Sequence, residues 1–115
     1  MVVRRDDAKH AHGLLERQRH GAAIGDADQF AAADDAFHRR IVEVAGNTIA
    51  GRFYGSLSDR QRRMMADAAR SDSARLTELI GEHAALADAI GRRDVSGFEG
   101  ALLAHLEATY RVVLA

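Results

Sequence analysis

The sequence contains no proline, and this absence is the strongest constraint on its fold. Proline is the residue that most often interrupts a helix, whereas alanine, leucine and arginine, which are abundant here, favour helical backbone. Aromatic residues, which favour strands, make up only 5% of the chain. A length of 115 residues suits one compact domain. We therefore expect residues 1–115 to form a single all-α domain, an antiparallel bundle of about five helices.

Charge and composition exclude several classes of function. The chain has 16 basic and 17 acidic residues, so no strong positive field would attract DNA to this chain alone. It has no cysteine, so any metal must be held by histidines and carboxylates. The segment up to Gly13 is charged, unlike a signal peptide, and no later stretch is apolar for long enough to span a bilayer. We therefore expect a cytoplasmic protein that does not contact a membrane.

Apolar residues recur every three or four positions in most of the chain, which predicts helices. Asp26 and Asp94 stand where N-cap residues are expected, and Gly46 stands where a left-handed residue would end a helix. Gly21 and Gly25 are expected to loosen the backbone between the first two helices. The predicted helices cover approximately residues 4–20, 26–45, 48–70, 74–92 and 94 onwards.

The predicted inward face of each later helix can be read from this spacing. The fourth and fifth helices each place one histidine, His83 and His105, within an apolar series. The predicted inward residues are Phe30, Ala33, Phe37, Ile41 and Val44 in the second helix, Ile49, Phe53, Leu57 and Met64 in the third, Leu76, Leu79 or Ile80, Ala87 and Ile90 in the fourth, and Phe98, Leu102, Thr109 and Val112 in the fifth.

Four residues are candidate metal ligands. Asp34 and His38 are four positions apart on the second helix, so both can bind one ion from the same face. His83 and His105 point inward from two other helices. Asp35 is the competing carboxylate, but it lies about 100° around the helix from Asp34, nearer the edge of the apolar stripe. Three imidazoles and a carboxylate suit Zn²⁺, which we favour, and also Ni²⁺, Fe²⁺, Mn²⁺ or Co²⁺.

Each histidine also has a simpler interpretation. A single histidine on an apolar face is usually a hydrogen-bonded core residue, but burying three without a shared partner is costly, which favours a metal site. The other three histidines, His10, His12 and His20, lie among charged residues and are expected to be solvated. The arginines between Arg60 and Arg63 are likewise expected to form a solvated face rather than a phosphate site.

Several short motifs follow one another in a fixed order. They are Asp34-Asp35-Ala36-Phe37-His38, then Ala45-Gly46-Asn47, then Glu82-His83 in a helix that includes Ile90, then Arg93-Asp94, and finally Ala104-His105-Leu106. Together they resemble the FCD domain, the C-terminal effector-sensing domain of FadR-type regulators in the GntR superfamily of bacterial transcription factors. The resemblance extends from about Ala11 to the end of the chain.

The resemblance implies a function and assigns roles to residues. In that family a carboxylate and three histidines bind a divalent metal, and these roles fall on Asp34, His38, His83 and His105. Members sense small organic acids beside or on the metal, usually as homodimers, and thereby control DNA binding rather than catalyse a reaction. Arg52 and Asn47 are the candidate effector contacts, Arg52 because a guanidinium matches a carboxylate.

The chain departs from the family pattern in two respects. It has no winged helix-turn-helix head, through which members bind DNA, and it lacks the first helix of the sensing bundle. We expect the missing helix to expose an apolar groove, which a second copy of the chain would cover.

Two other functions fit the same residues. A metal with open coordination positions could serve a small hydrolase, for which Glu82 and Asp35 are the nearby candidate bases, although both should point away from the metal. Alternatively, the histidines could simply be packed in a metal-free helical interaction module.

Overall fold

The computed structural model describes residues 3–46 and 48–114, and within them every side chain except those of residues 48–50, 53, 73, 106 and 108–114. The described residues form five helices and contain no strand, which confirms the predicted all-α bundle. The helices are α1 (Asp7–Ala23), α2 (Ala27–Ala45), α3 (Thr48–Ser71), α4 (Ser73–Gly91) and α5 (Val95–Leu114).

Short polar residues define the helix ends. The carboxylates of Asp26, Asp72 and Asp94 each accept a hydrogen bond from the backbone N–H three residues later, at 3.0, 3.0 and 2.9 Å. Each bond satisfies one of the donors that the first turn of a helix leaves unpaired. Gly46 follows α2 with a φ of 71°, the left-handed geometry that glycine adopts without strain. The predicted ends at Asp26, Gly46 and Asp94 are confirmed.

The first helix differs from its prediction at both ends. It begins at Asp7 rather than Arg4, because the Arg4 N–H donates to the Asp7 carboxylate in a preceding turn. It also continues through Gly21, which was expected to loosen the backbone. A Cβ at Gly21 would lie only 2.8 Å from the backbone nitrogen of Phe30. Gly21 therefore permits close contact between the end of α1 and the start of α2.

The packing of α2 against its neighbours organises the core. It packs against both α1 and α3, while α4 packs against α1 and α5. The radius of gyration is 13.2 Å, close to the ~13 Å expected for a compact chain of this length. The inward residues predicted for α2 are all buried: Phe30, Ala33, Phe37, Ile41 and Val44. The same holds for the described α4 residues Leu76, Leu79, Ala87 and Ile90.

The buried face of α3 is more polar than the sequence predicted. Leu57 and Met64, two of the predicted inward residues, are only half-buried. The buried positions include Ala66 and a series that recurs at intervals of three and four, Tyr54, Ser58, Gln61 and Met65. Met64 still packs against a core cluster, and the side chains of the other two predicted residues, Ile49 and Phe53, lie outside those described. The prediction missed the polar positions because it ranked residues by hydrophobicity, whereas the hydroxyl groups of Tyr54 and Ser58 contact α2.

Candidate metal centre

Three histidines from three helices meet in the interior. His38 on α2, His83 on α4 and His105 on α5 are 2%, 0% and 2% exposed. The Nε2 atom of His105 lies 2.6 Å from Nε2 of His38 and 3.2 Å from Nε2 of His83. One nitrogen from each ring lies within 4.8 Å of the others. The structure therefore brings together the three predicted histidines in a cluster that can hold a metal ion.

The opposite nitrogen of each ring is hydrogen-bonded to the surrounding protein. Nδ1 of His38 contacts the Asp34 carbonyl oxygen at 2.8 Å, and Nδ1 of His83 contacts Gln18 Oε1 at 2.6 Å. Nδ1 of His105 contacts Glu82 Oε1 at 3.2 Å. All three partners are acceptors, so the neutral form of each ring would carry its proton on Nδ1 and present a lone pair at Nε2. This arrangement is typical of metal-binding histidines.

Burial keeps two of these rings uncharged. Removal from water lowers the pKa of His83 well below its ordinary value of 6.5, with a further contribution from His38. The same two causes lower the pKa of His105 to about 3. Neutral imidazole is the form that binds a metal ion, so both rings are in the ligating state at neutral pH.

Asp34 lies beside the cluster and is 1% exposed. Its Oδ1 atom is 3.7 Å from His83 Nε2 and 3.4 Å from His38 Nδ1. Neither carboxylate oxygen has a hydrogen-bond partner in the described part of the chain. Burial raises the pKa of Asp34, because the charged form loses hydration. A buried carboxylate without a donor, next to three imidazole rings, is well suited to bind a cation.

Asp35, the competing carboxylate, is occupied elsewhere. Its Oδ2 atom accepts from Arg39 Nε at 3.0 Å, and its Oδ1 atom accepts from the Tyr54 hydroxyl at 3.0 Å. The first contact is made along α2 itself, and the second joins Asp35 to α3. Of the two carboxylates, only Asp34 is therefore placed beside the three histidines.

Aromatic rings fix the orientation of two histidines. The Phe37 ring stacks on His83 with centroids 4.7 Å apart, and the Tyr54 ring stacks on His38 with centroids 5.8 Å apart. Such packing restricts ring rotation, so the protein itself holds the two Nε2 atoms in place.

Two buried glutamines were not recognised in the sequence. Gln18 is 0% exposed and contacts His83, and Gln61 is 1% exposed and lies close enough to Asp34 to favour its charged form. A signal was present, because each glutamine continues an inward series at intervals of three or four. Gln18 follows Ala11, Leu14 and Leu15, and Gln61 follows Tyr54 and Ser58.

The two predicted effector contacts lie away from the cluster or outside the described residues. Arg52 is exposed and lines a cleft of about 640 Å³ between α2 and α3, together with Arg39, Val42 and Tyr54. Because Tyr54 also stacks on His38, it belongs to both the cleft and the surroundings of the cluster. Asn47 lies outside the described residues, so its role remains a prediction.

The other charged candidates agree with their solvated interpretation. His10 and His20 are exposed, and His12 is half-buried beside Asp88, with 3.5 Å between Nε2 and Oδ1. The candidate base Glu82 contacts Nδ1 of His105 rather than its Nε2. Like Asp35, it is therefore directed away from the point where the Nε2 atoms converge.

Comparison with known proteins agrees with the resemblance in the sequence. A sequence model of the FCD domain matches residues 2–108 of the chain. No curated protein and no solved structure gives a match. Within the described residues, the helices are too short or too polar to cross a membrane. FCD domains are regulatory sensing domains rather than enzymes. The chain belongs to the FCD domain family, the effector-sensing domains of GntR-type transcription regulators.

Proposed function

We propose that this chain is a metal-dependent sensing domain for small carboxylic acids in a cytoplasmic GntR-type regulator. The observation that carries the proposal is the hydrogen bonding of the three histidines. Each Nδ1 is held by an acceptor, and each Nε2 points toward a shared position. A set of packed core histidines would not require all three rings to adopt the same tautomer.

His38, His83 and His105 would hold the ion through Nε2, and Asp34 would hold it through one carboxylate oxygen. These residues fit a transition metal by their chemistry, because imidazole and carboxylate suit Zn²⁺, Ni²⁺, Fe²⁺, Mn²⁺ and Co²⁺, with Zn²⁺ favoured. The bound ion would supply a positive charge with an open position for an effector carboxylate. The surrounding protein would orient the rings and exclude water, since all four residues are at most 2% exposed.

The cleft between α2 and α3 is the proposed place where an effector contacts the protein. Its arginines, Arg39 and Arg52, carry guanidinium groups that match a carboxylate. Tyr54 connects the cleft with the His38 ring through stacking, so a molecule in the cleft could displace that ring. An effector alters the regulator only if two arrangements of the bundle differ in affinity for it.

Control of DNA binding would act through a homodimer and a winged helix-turn-helix head outside this sequence. Support comes from membership of the family and from Leu103 on α5, which is 69% exposed. Light scattering at micromolar concentration should give the mass of two chains. A monomeric mass would contradict this part of the proposal.

The sensing function is tested by a thermal-shift screen of carboxylic acids against three samples. These are the protein loaded with Zn²⁺, the same protein after chelator treatment, and the His105→Ala variant. We expect a carboxylic acid to raise the melting temperature of the loaded protein only. Equal stabilisation of all three samples would show that the acid binds elsewhere. A melting temperature that does not respond to Zn²⁺ or chelator would favour the metal-free interaction module.

A further inference from the structure

Gln61 is buried in an otherwise charged stretch of α3. The arginines around it, Arg60, Arg62 and Arg63, are exposed, whereas Gln61 is 1% exposed. It belongs to the same inward series as Tyr54 and Ser58. An amide in this position loses its hydration, so it needs a polar partner inside the protein.

The other polar members of this series each meet a residue of α2. The Tyr54 hydroxyl donates to Asp35 Oδ1 at 3.0 Å, and Ser58 Oγ accepts from Arg39 at 2.8 Å. Gln61 continues the same buried series of α3 and lies close to Asp34 of α2. Yet neither atom of the Gln61 amide, and neither oxygen of Asp34, completes a hydrogen bond with a residue that the structure describes.

We propose that Gln61 is a positioning residue for Asp34. Its Nε2–H would donate to one oxygen of the carboxylate, so that the other oxygen is directed toward the Nε2 atoms of the histidines. The inference rests on the proposed function, because it requires Asp34 to bind an ion. A carboxylate bound to an ion through one oxygen retains lone pairs on the other, and an amide can donate to them.

The chemistry of an amide suits this role better than the alternatives. An arginine or lysine here would form an ion pair with Asp34 and compete with the metal for the carboxylate. An apolar side chain would offer no donor to hold either oxygen of the carboxylate in a fixed orientation. A neutral donor can hold one carboxylate oxygen without supplying a competing positive charge.

Stability and metal affinity together distinguish a residue that orients Asp34 from a residue that supports the fold. If Gln61 supported the fold, its replacement by methionine, which is similar in size, would lower the stability of the metal-free chain. A positioning residue that is unpaired without metal should behave differently. We expect Gln61→Met to leave the melting temperature of the metal-free chain unchanged or higher, and to weaken metal binding.

The test is a competitive Zn²⁺ titration by calorimetry, with thermal melts of the metal-free proteins. Gln61→Met should bind Zn²⁺ ~10–100-fold more weakly than the wild type. Gln61→Asn, whose amide is one methylene further from Asp34, should show a similar loss. Ser58→Ala, which changes the same face of α3 but contacts Arg39, is the control and should retain wild-type affinity.

A double variant then tests whether Gln61 acts through Asp34. Asp34→Asn combined with Gln61→Met should bind no more weakly than Asp34→Asn alone, because Gln61 would have no carboxylate left to orient. Additive losses, or wild-type affinity in both single Gln61 variants, would overturn the inference while leaving the metal centre intact. A wild-type chain that binds no Zn²⁺ would overturn both this inference and the proposed function.

Discussion

The Nε2 atoms of His38 and His105 lie 2.6 Å apart, although 67 positions separate the two residues in the sequence. Both rings donate through Nδ1, so in their neutral form neither Nε2 carries a proton. Two lone pairs at this distance repel each other. A shared cation would convert the repulsion into attraction, which is the physical basis of the proposed metal centre.

Replacing Asp34 should separate metal binding from stability. In Asp34→Asn we expect a larger loss of Zn²⁺ affinity than the ~10–100-fold typical when a residue that supports a ligand is removed. The metal-free chain should be equally or more stable, because a buried carboxylate without a donor no longer has to be accommodated. Calorimetry and urea unfolding measure the two effects.

Asp35→Asn is the matched control for that prediction. Asp35 accepts hydrogen bonds from Arg39 and Tyr54, so its replacement should destabilise the chain and leave one metal equivalent bound. If Asp35→Asn abolishes metal binding and Asp34→Asn does not, the assignment of the carboxylate ligand is wrong.

Gln18 should contribute to both stability and metal affinity. In Gln18→Met the buried Nδ1–H of His83 loses its acceptor, which should lower the free energy of unfolding of the metal-free chain by ~1–3 kcal/mol. Zn²⁺ affinity should fall ~10–100-fold, because the ring is no longer held in the ligating tautomer. Gln29→Met, at the partly exposed start of α2, should change neither quantity. Equal behaviour of the two variants would argue against the role of Gln18.

Stability of the metal-free chain should decrease in acid. Burial lowers the pKa of His83 well below 6.5 and that of His105 to about 3. Between these values and 6.5 the unfolded chain binds more protons than the folded chain, so the free energy of unfolding falls as pH falls. The contribution of the two rings is fully present above about pH 6.5 and declines toward pH 3. Asp34 has the opposite effect on the free energy of unfolding. Because its pKa is raised, the folded chain takes up this proton at a higher pH than the unfolded chain does.

Urea unfolding at several pH values measures this dependence. The His20→Ala variant, which changes an exposed ring, should follow the wild-type curve. Stability that stays constant from neutral pH to about pH 4 would contradict the burial of His83 and His105 as neutral rings.

Replacing each of two glycines of α1 by alanine should change the free energy of unfolding in opposite directions. A Cβ at Gly21 would lie 2.8 Å from the Phe30 nitrogen and 3.1 Å from its Cα. Backbone cannot easily move away, so Gly21→Ala should lower the free energy of unfolding by ~1–3 kcal/mol. At Gly13 nothing lies within 4 Å, so Gly13→Ala should raise it by ~0.5–1 kcal/mol through helix propensity. The free energy of unfolding is measured with urea. If both variants change it in the same direction, the described contact between α1 and α2 is contradicted.

Much of the fold could be predicted because local chemistry determines it. Asp26, Gly46 and Asp94 define helix ends through their own backbone and side-chain geometry, and the α2 residues from Phe30 to Val44 repeat with a clear helical period. The spacing of apolar residues also predicted that His38, His83 and His105 point inward, because each lies in an apolar series, and the three meet in the interior.

The residues that support the cluster were not predicted, because their role depends on partners from other helices. Gln18 and Gln61 continue inward series, but a glutamine is usually solvated, and the packing of α1 and α3 shows that both are buried. The polar part of the inward face of α3 was missed for the same reason. Its partner on α2 is the polar segment from Asp34 to Arg39, which selects Tyr54 and Ser58 rather than larger apolar side chains.

The most direct test is elemental analysis of the protein, purified without chelator and without a metal-affinity column. The proposed centre predicts about one equivalent of a transition metal per chain, lost in His83→Ala and His105→Ala and retained in His12→Ala. The absence of metal from the wild type, together with no uptake after addition of Zn²⁺ or Ni²⁺, would contradict the metal centre.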